Sequence, residues 1–149
     1  MLKRTFLGTL FAISTLAPLS FAHAQNTPEQ IEGVKRISAE EALKLQQSGA
    51  VLVDTRVATE FAERTIKGAQ HILYRERSAK AADFDASQDQ FDLGKLPTDK
   101  SAAVVMFCNS GTCWRSYKAA VVTHRAGYKN VYWLRGGMPE WVAKGLPTQ

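Results

Sequence analysis

The chain has 149 residues, 45% of them apolar and 22% charged, enough for one domain with a single core and too few for two substantial ones. Its 19 basic and 14 acidic residues form no basic run longer than two, and the aromatic residues are not interleaved with Lys and Arg, which argues against nucleic acid as a partner. Of metal and cofactor sites none is expected: Cys108 and Cys113 lie too far apart for a thioredoxin-type pair, no His follows Cys113 as haem attachment needs, and His71 and His124 lack ligand-like spacing.

The first two dozen residues read as a targeting segment. Lys3 and Arg4 give a positive start, an apolar run extends from Thr5 to about Leu16, and Ala22-His23-Ala24 places small residues where a signal peptidase inspects them. Cleavage is expected before Gln25. The apolar run is short for a bilayer span, and Pro18 interrupts it before the small residues. The sequence therefore points to an exported, periplasmic protein with no membrane association after processing. Loss of Lys3 and Arg4 leaves 17 basic against 14 acidic residues, an excess of three.

Residues 25–33 are polar with one proline and are expected to form a flexible lead-in, the domain proper running from 34 to 149. Ser38 with Glu41 three residues on makes a capping box, and Ala42, Leu43 and Leu45 give the helix that follows an apolar face as far as Gln47, with Gly49 as its stop. Ala50-Val51-Leu52-Val53 is a continuous apolar run, the mark of a strand buried on both faces. A short helix is expected over 58–64 and a strand over 68–72. From Tyr74 to Asp99 the sequence turns polar and irregular, with one helical turn expected at Ala79–Ala82.

Ala102 to Phe107 is the strongest strand pattern and ends on Cys108; after a loop, Ser116 to Ala126 has helical spacing closed by Gly127. Val131-Tyr132-Trp133-Leu134 reads as a last strand, Gly136-Gly137 as a turn, and Pro139 to Lys144 as a terminal helix stopped by Gly145. Strands alternating with helices give an α/β fold, an open and mostly parallel sheet covered on both faces, whose ligands collect beyond the carboxyl ends of the strands. Cys108 stands at such an end.

The segment Cys108-Asn109-Ser110-Gly111-Thr112-Cys113-Trp114-Arg115-Ser116 is thus a strand end, a loop of small polar residues and a helix start. Loop amides and the positive end of the helix can converge on one point and form an anion cradle. A cysteine facing that point is expected as a nucleophilic thiolate, with Arg115 holding an oxyanion substrate or leaving group. The plainer reading makes Cys108 a small apolar residue that ends a strand. Trp114, beside the nucleophile, is read as a wall of the substrate pocket, and Trp133 and Trp141 as core.

At these residues the chain resembles the rhodanese family. Val51-Leu52-Val53-Asp54-Thr55-Arg56, Glu60-Phe61 and Ile66-Lys67-Gly68-Ala69 are similar to its first signature. Cys108 with Gly111, Arg115-Ser116 and Ala119-Ala120 resemble its active loop. Tyr128 to Val131, Arg135-Gly136-Gly137-Met138, Trp141 and Gly145-Leu146-Pro147 resemble its carboxyl-terminal signature. The resemblance implies a three-layer α/β/α fold around a five-stranded parallel sheet. It also implies sulfur transfer, with the catalytic Cys taking a sulfane sulfur, holding it as a persulfide and passing it to a nucleophile. Asp54 and Arg56 are expected to tie elements together rather than to react.

One departure from the family pattern bears on the substrate. Cys108 and Arg115 are seven positions apart, two more than usual, and Cys113 occupies the place where the family's Arg falls. A wider cradle counts against thiosulfate as donor, and family members with enlarged loops act as phosphatases or arsenate reductases. Cys113 has three readings: it attacks a persulfide or sulfenic acid on Cys108, it forms a structural disulfide with Cys108, or it packs with Trp114.

The expected function is sulfur transfer through Cys108, Cys113 and Arg115, with Asn109, Ser110, Gly111, Thr112, Trp114 and Ser116 around the substrate. Its partners would be a small sulfane donor or oxyanion and an exported thiol protein as acceptor. Two other functions stay open: a thiol–disulfide or oxyanion reductase using both cysteines, and a non-catalytic sulfur-carrier or partner-binding domain.

Overall fold

The computed structural model describes residues 25–149; the expected signal segment, residues 1–24, lies outside the described residues. In chain order the elements are β1 (Lys35–Arg36), α1 (Ala39–Gln47), β2 (Val51–Asp54), α2 (Ala58–Glu63), β3 (Gln70–His71), β4 (Ala103–Phe107), α3 (Trp114–Arg125), β5 (Asn130–Leu134) and α4 (Gly137–Ala143). The five strands form one parallel sheet in the order β1-β5-β4-β2-β3, the α/β architecture expected. Among the described residues no helix is long and apolar enough to cross a membrane.

Alternation along β4 and β5 divides the core into two layers. Val104, Met106, Val131 and Trp133 face one cluster, completed by Tyr117, Ala120 and Val121 of α3 and by Tyr74 and Phe84. Val105, Phe107 and Leu134 face the other, completed by Ala39 and Ala42 of α1 and by Met138 and Trp141 of α4. β4, at the centre, is buried at every position from Val104 to Phe107, so the sheet delivers Cys108 from its buried central strand.

The capping box of α1 forms as expected: Glu41 N donates to Ser38 Oγ and Ser38 N to the Glu41 carboxylate. Glu140 of α4 accepts from Ala39 N at 2.8 Å, joining both helices of that layer. Helix α3 begins at Trp114, two residues before the expected start, with Cys113 as its N-cap. Helix α4 begins at Gly137, so Pro139 falls within the first turn, where its missing N–H has no intrahelical partner to lose.

Three expectations change. The strand expected over 68–72 is paired only at Gln70–His71, and the helical turn expected at Ala79–Ala82 falls at Ala86–Gln88, where the Asp85 side chain accepts from Ser87 N. The lead-in at 25–33 is docked: Thr27 is 3% exposed and Ile31 9%, because the segment packs against the active loop and α3. The connection from Tyr74 to Asp99 is held by an internal polar knot rather than by regular structure. Lys118 of α3, with no exposed surface, donates to Ser78 Oγ and O and lies 2.9 Å from the Glu76 carboxylate and 3.7 Å from that of Asp89.

Candidate active site

Strand β4 ends at Phe107, and the next residue, Cys108, is 1% exposed and disulfide-bonded to Cys113, the two Cα atoms 6.4 Å apart. The bond is the one that both attack of Cys113 on a persulfide or sulfenic acid and a structural disulfide would leave. The Cys108 sulfur lies 2.9 Å from Ser116 Oγ on the first turn of α3, and Ser116 Oγ lies 3.0 Å from Trp133 Nε1 on β5. An indole N–H can only donate, so Ser116 Oγ accepts it, and the hydroxyl proton remains free for the sulfur. Ser116 is itself 1% exposed, so this contact is dry.

The expected ring of loop amides is not what meets the sulfur. Cys113 N donates to Ser110 O at 3.0 Å and Thr112 N faces Ser110 Oγ at 3.4 Å, so these amides are used inside the loop. The Cys108 sulfur is instead bonded to Cys113 and lies against Ser116 Oγ of α3. An exposed thiolate at position 108 is therefore not the state of this structure. Ser110 and Thr112 bond each other at the rim, hydroxyl to hydroxyl at 2.9 Å.

Beside the loop a charged chain runs from the sheet to the surface. Asp54, fully buried, pairs with Arg56 through Nε at 3.0 Å and Nη2 at 2.7 Å and accepts from Thr65 Oγ1 at 2.8 Å. Arg56 also donates to Arg64 O at 2.6 Å and, from Nη1, to Asn109 Oδ1 at 3.4 Å. Asn109 Nδ2 in turn donates to Glu60 at 2.6 Å. Asp54 and Arg56 thus tie β2, α2 and the loop together, the structural use expected of them.

Arg115, expected to hold an oxyanion over the sulfur, is turned outward instead. It lies 3.7 Å from Glu60 and lines a groove of about 270 Å³ with Val57, Tyr74 and Glu76. The helical turn that carries Ser116 inward carries its neighbour outward. Trp114 is not a pocket wall: it is 3% exposed, stacks edge-on against Tyr117 at 5.2 Å, and donates its indole N–H to Gln25 O at 2.8 Å.

Two residues that sequence reasoning left out of the site hold its loop. The Arg135 guanidinium lies flat on Gly111, where an added Cβ would sit 2.7 Å from its Cζ, and it donates to Thr27 O at 3.0 Å. Thr27 donates to Gly111 O from both N and Oγ1, at 2.8 and 2.7 Å. Arg135 could have been found in the signature Arg135-Gly136-Gly137-Met138, whereas nothing in the sequence marks Thr27. Gly137, with φ of +56°, brings the start of α4 so close to the loop that a Cβ there would overlap the Cys108 carbonyl, which accepts from Met138 N at 2.9 Å.

A depression of about 740 Å³ along β1 and the start of α1 includes neither cysteine. The cleft that touches the loop is smaller, about 410 Å³, between Asn109, Arg56, Glu60 and Arg64 on one side and Met138, Pro139 and Val142 on the other. Its position beyond the carboxyl ends of the strands is where open parallel sheets receive ligands. Val142, 40% exposed, gives it an apolar lip.

The model of the rhodanese-like domain matches residues 38–144. A thiosulfate sulfurtransferase GlpE from Haemophilus influenzae is 30% identical over 115 residues, 76% of this chain and 92% of that protein. A namesake from Pseudomonas fluorescens is 34% identical over 107 residues, 72% of this chain and 84% of that one. In fold the chain is similar to the polysulfide-sulfur transferase homodimer from Wolinella succinogenes, with a TM-score of 0.58, 23% identity, and coverage of 78% of this chain and 79% of that one. With a parallel five-stranded sheet and a cysteine ending its central strand, the chain belongs to the rhodanese-like domain family.

Proposed function

We propose that the protein is an exported sulfurtransferase that carries sulfane sulfur as a persulfide on Cys108 and rests as the Cys108–Cys113 disulfide. The observation that carries the reading is the sulfur of Cys108 at the end of β4, in contact with the Ser116 hydroxyl and within bonding reach of a second cysteine. Family membership and the sulfurtransferase relatives support it.

The cycle starts when an external thiol reduces the disulfide and the loop opens. The Cys108 thiolate then attacks the outer sulfur of a donor such as thiosulfate or polysulfide. A new S–S bond forms, the donor's S–S bond breaks, and sulfite or the shortened polysulfide leaves with the electron pair. An acceptor thiolate attacks the terminal sulfur and takes it, and the Cys108 thiolate leaves. Without an acceptor, Cys113 attacks the inner sulfur, hydrosulfide departs and the disulfide returns. The cleft beside Asn109, lined by Arg56 and Arg64 and with an apolar lip, is the proposed approach for donor and acceptor.

Exposure of the fully reduced protein to thiosulfate or polysulfide, followed by intact-mass analysis, tests the reading. A gain of one sulfur is expected in Cys113→Ser, where the persulfide cannot collapse to the disulfide, and none in Cys108→Ser. No gain with either donor on Cys113→Ser shown to be reduced would overturn it. The disulfide itself favours one second reading, thiol–disulfide exchange with both cysteines as the working couple. Turnover of a disulfide substrate that is abolished by Cys113→Ser, without persulfide formation, would establish that reading instead.

A further inference from the structure

The loop between the two cysteines is held from outside by a segment that the sulfur chemistry does not touch. Thr27 is 3% exposed, and its N and Oγ1 both donate to Gly111 O, at 2.8 and 2.7 Å. Arg135 closes a ring of three residues by lying on Gly111 and donating to Thr27 O from Nη2 at 3.0 Å and to Thr27 Oγ1 from Nε at 3.3 Å, while Glu29 pairs with the same Nη2 at 3.0 Å. Two residues before Thr27, Gln25 O anchors the indole of Trp114 at the other end of the loop.

A carbonyl with two short donors has little freedom to rotate, and in a trans peptide the following N–H points the opposite way. Fixing Gly111 O toward the strap therefore turns the Thr112 amide into the loop, where it meets Ser110 Oγ. That sets the path of the chain into Cys113, two residues further on, and so the approach of its sulfur to Cys108.

We propose that Thr27 is a positioning residue for the cysteine pair, whose hydrogen bonds to Gly111 favour the closed disulfide loop over the open, reduced one. The inference rests on the reading of Cys108 as the sulfur carrier. In the closed loop Cys108 is 1% exposed, so a donor reaches its sulfur only when the loop swings outward. Gly111 sits in the middle of that loop and moves with it, away from Thr27. A contact stronger in one state than the other must appear in the equilibrium between them. The step is a two-electron exchange. Two glutathione thiols become one glutathione disulfide, the protein disulfide breaks, and the two thiol hydrogens end on Cys108 and Cys113.

The purified chain is equilibrated in mixtures of reduced and oxidised glutathione, quenched by alkylation, and its oxidised fraction counted by mass. Thr27→Val keeps the side-chain shape and removes the Oγ1 donor, and the oxidised-to-reduced ratio in a fixed buffer falls about fivefold, the effect of one hydrogen bond. Thr27→Ser, which retains the hydroxyl, restores the ratio. Trp114→Phe releases the second anchor and lowers the ratio as well. An unchanged or raised ratio in folded Thr27→Val overturns the proposal, and so does an equal fall in Thr27→Ser. If Thr27→Val does not fold, an unchanged ratio in Trp114→Phe overturns it. No sulfur donor enters the measurement, so its failure is distinct from a failure to form the persulfide.

Discussion

Ser116 Oγ stands between the Cys108 sulfur, 2.9 Å away, and the Trp133 indole, which donates to it from 3.0 Å. Because the indole proton fills an acceptor site, the Ser116 proton is left to the sulfur, and a thiolate at Cys108 gains a buried, charge-assisted hydrogen bond. Removing it disfavours the charged form, so reduced Ser116→Ala holds a smaller fraction of thiolate, about tenfold less if the bond contributes about 1.4 kcal/mol. At neutral pH the reduced variant is alkylated about tenfold more slowly, as expected when the thiolate is the reactive form. The measurement is the iodoacetamide rate against pH in a Cys113→Ser background, and an unshifted profile would remove Ser116 from the chemistry.

Close approach of α4 to the loop makes a second position intolerant. Gly137 combines a φ of +56° with the overlap that any Cβ would have with the Cys108 carbonyl. Gly137→Ala therefore meets both backbone strain and a clash, and destabilises the fold by about 2 to 4 kcal/mol. Urea unfolding of Gly137→Ala beside wild type measures this. A loss of less than about 1 kcal/mol would mean that the turn rearranges at little cost.

How much of this could be read from the residues depends on where each signal lay. The apolar run ending on Cys108 marked β4 and placed the nucleophile, because burial on both faces leaves a continuous pattern. β1 left no such mark: Lys35 and Arg36 are exposed on both faces at the sheet edge, and only parallel pairing with Tyr132 and Trp133 identifies the strand. Adjacency along the chain suggested Arg115 and Trp114 as site residues, but successive helical positions diverge, so α3 turns Ser116 inward and Arg115 toward Glu60. The guanidinium that lies on Gly111 comes from Arg135 after β5, and the clamp from Thr27 before β1, both distant in sequence. Spacing alone could not choose among three roles for Cys113, since bond formation depends on the loop's path, which Gly111 and its partners set.

The buried lysine yields a third prediction. Lys118 has no exposed surface and neutralises Glu76 and Asp89 beneath the long connection between β3 and β4. Lys118→Ala leaves two carboxylates facing each other without a cation and is expected to cost about 3 to 5 kcal/mol. Thermal unfolding would register the change. Lys118→Met, which restores volume but not charge, recovers only a minor part of it if the ion pairs rather than the packing dominate.

The same knot sets the response to acid. Burial opposes the charge on Asp89, but hydrogen bonds from Ser78 Oγ and N, Arg77 N and the Tyr74 hydroxyl outweigh it and hold the carboxyl at about 2, below its ordinary 3.8. A carboxyl whose folded pKa is depressed stabilises the fold above its unfolded pKa and loses that contribution as pH falls through the folded one. The window is therefore acidic, from about pH 4 down to about pH 2, and the contribution lost across it is about 2 kcal/mol. Asp89→Asn has no such charge to lose. The stability difference between wild type and Asp89→Asn, read from urea midpoints, should shrink by about that amount between about pH 5 and about pH 2. A difference that stays constant across this range would mean that the carboxyl titrates no differently in the folded and unfolded chains, and that Lys118, Ser78 and Tyr74 hold it by packing alone.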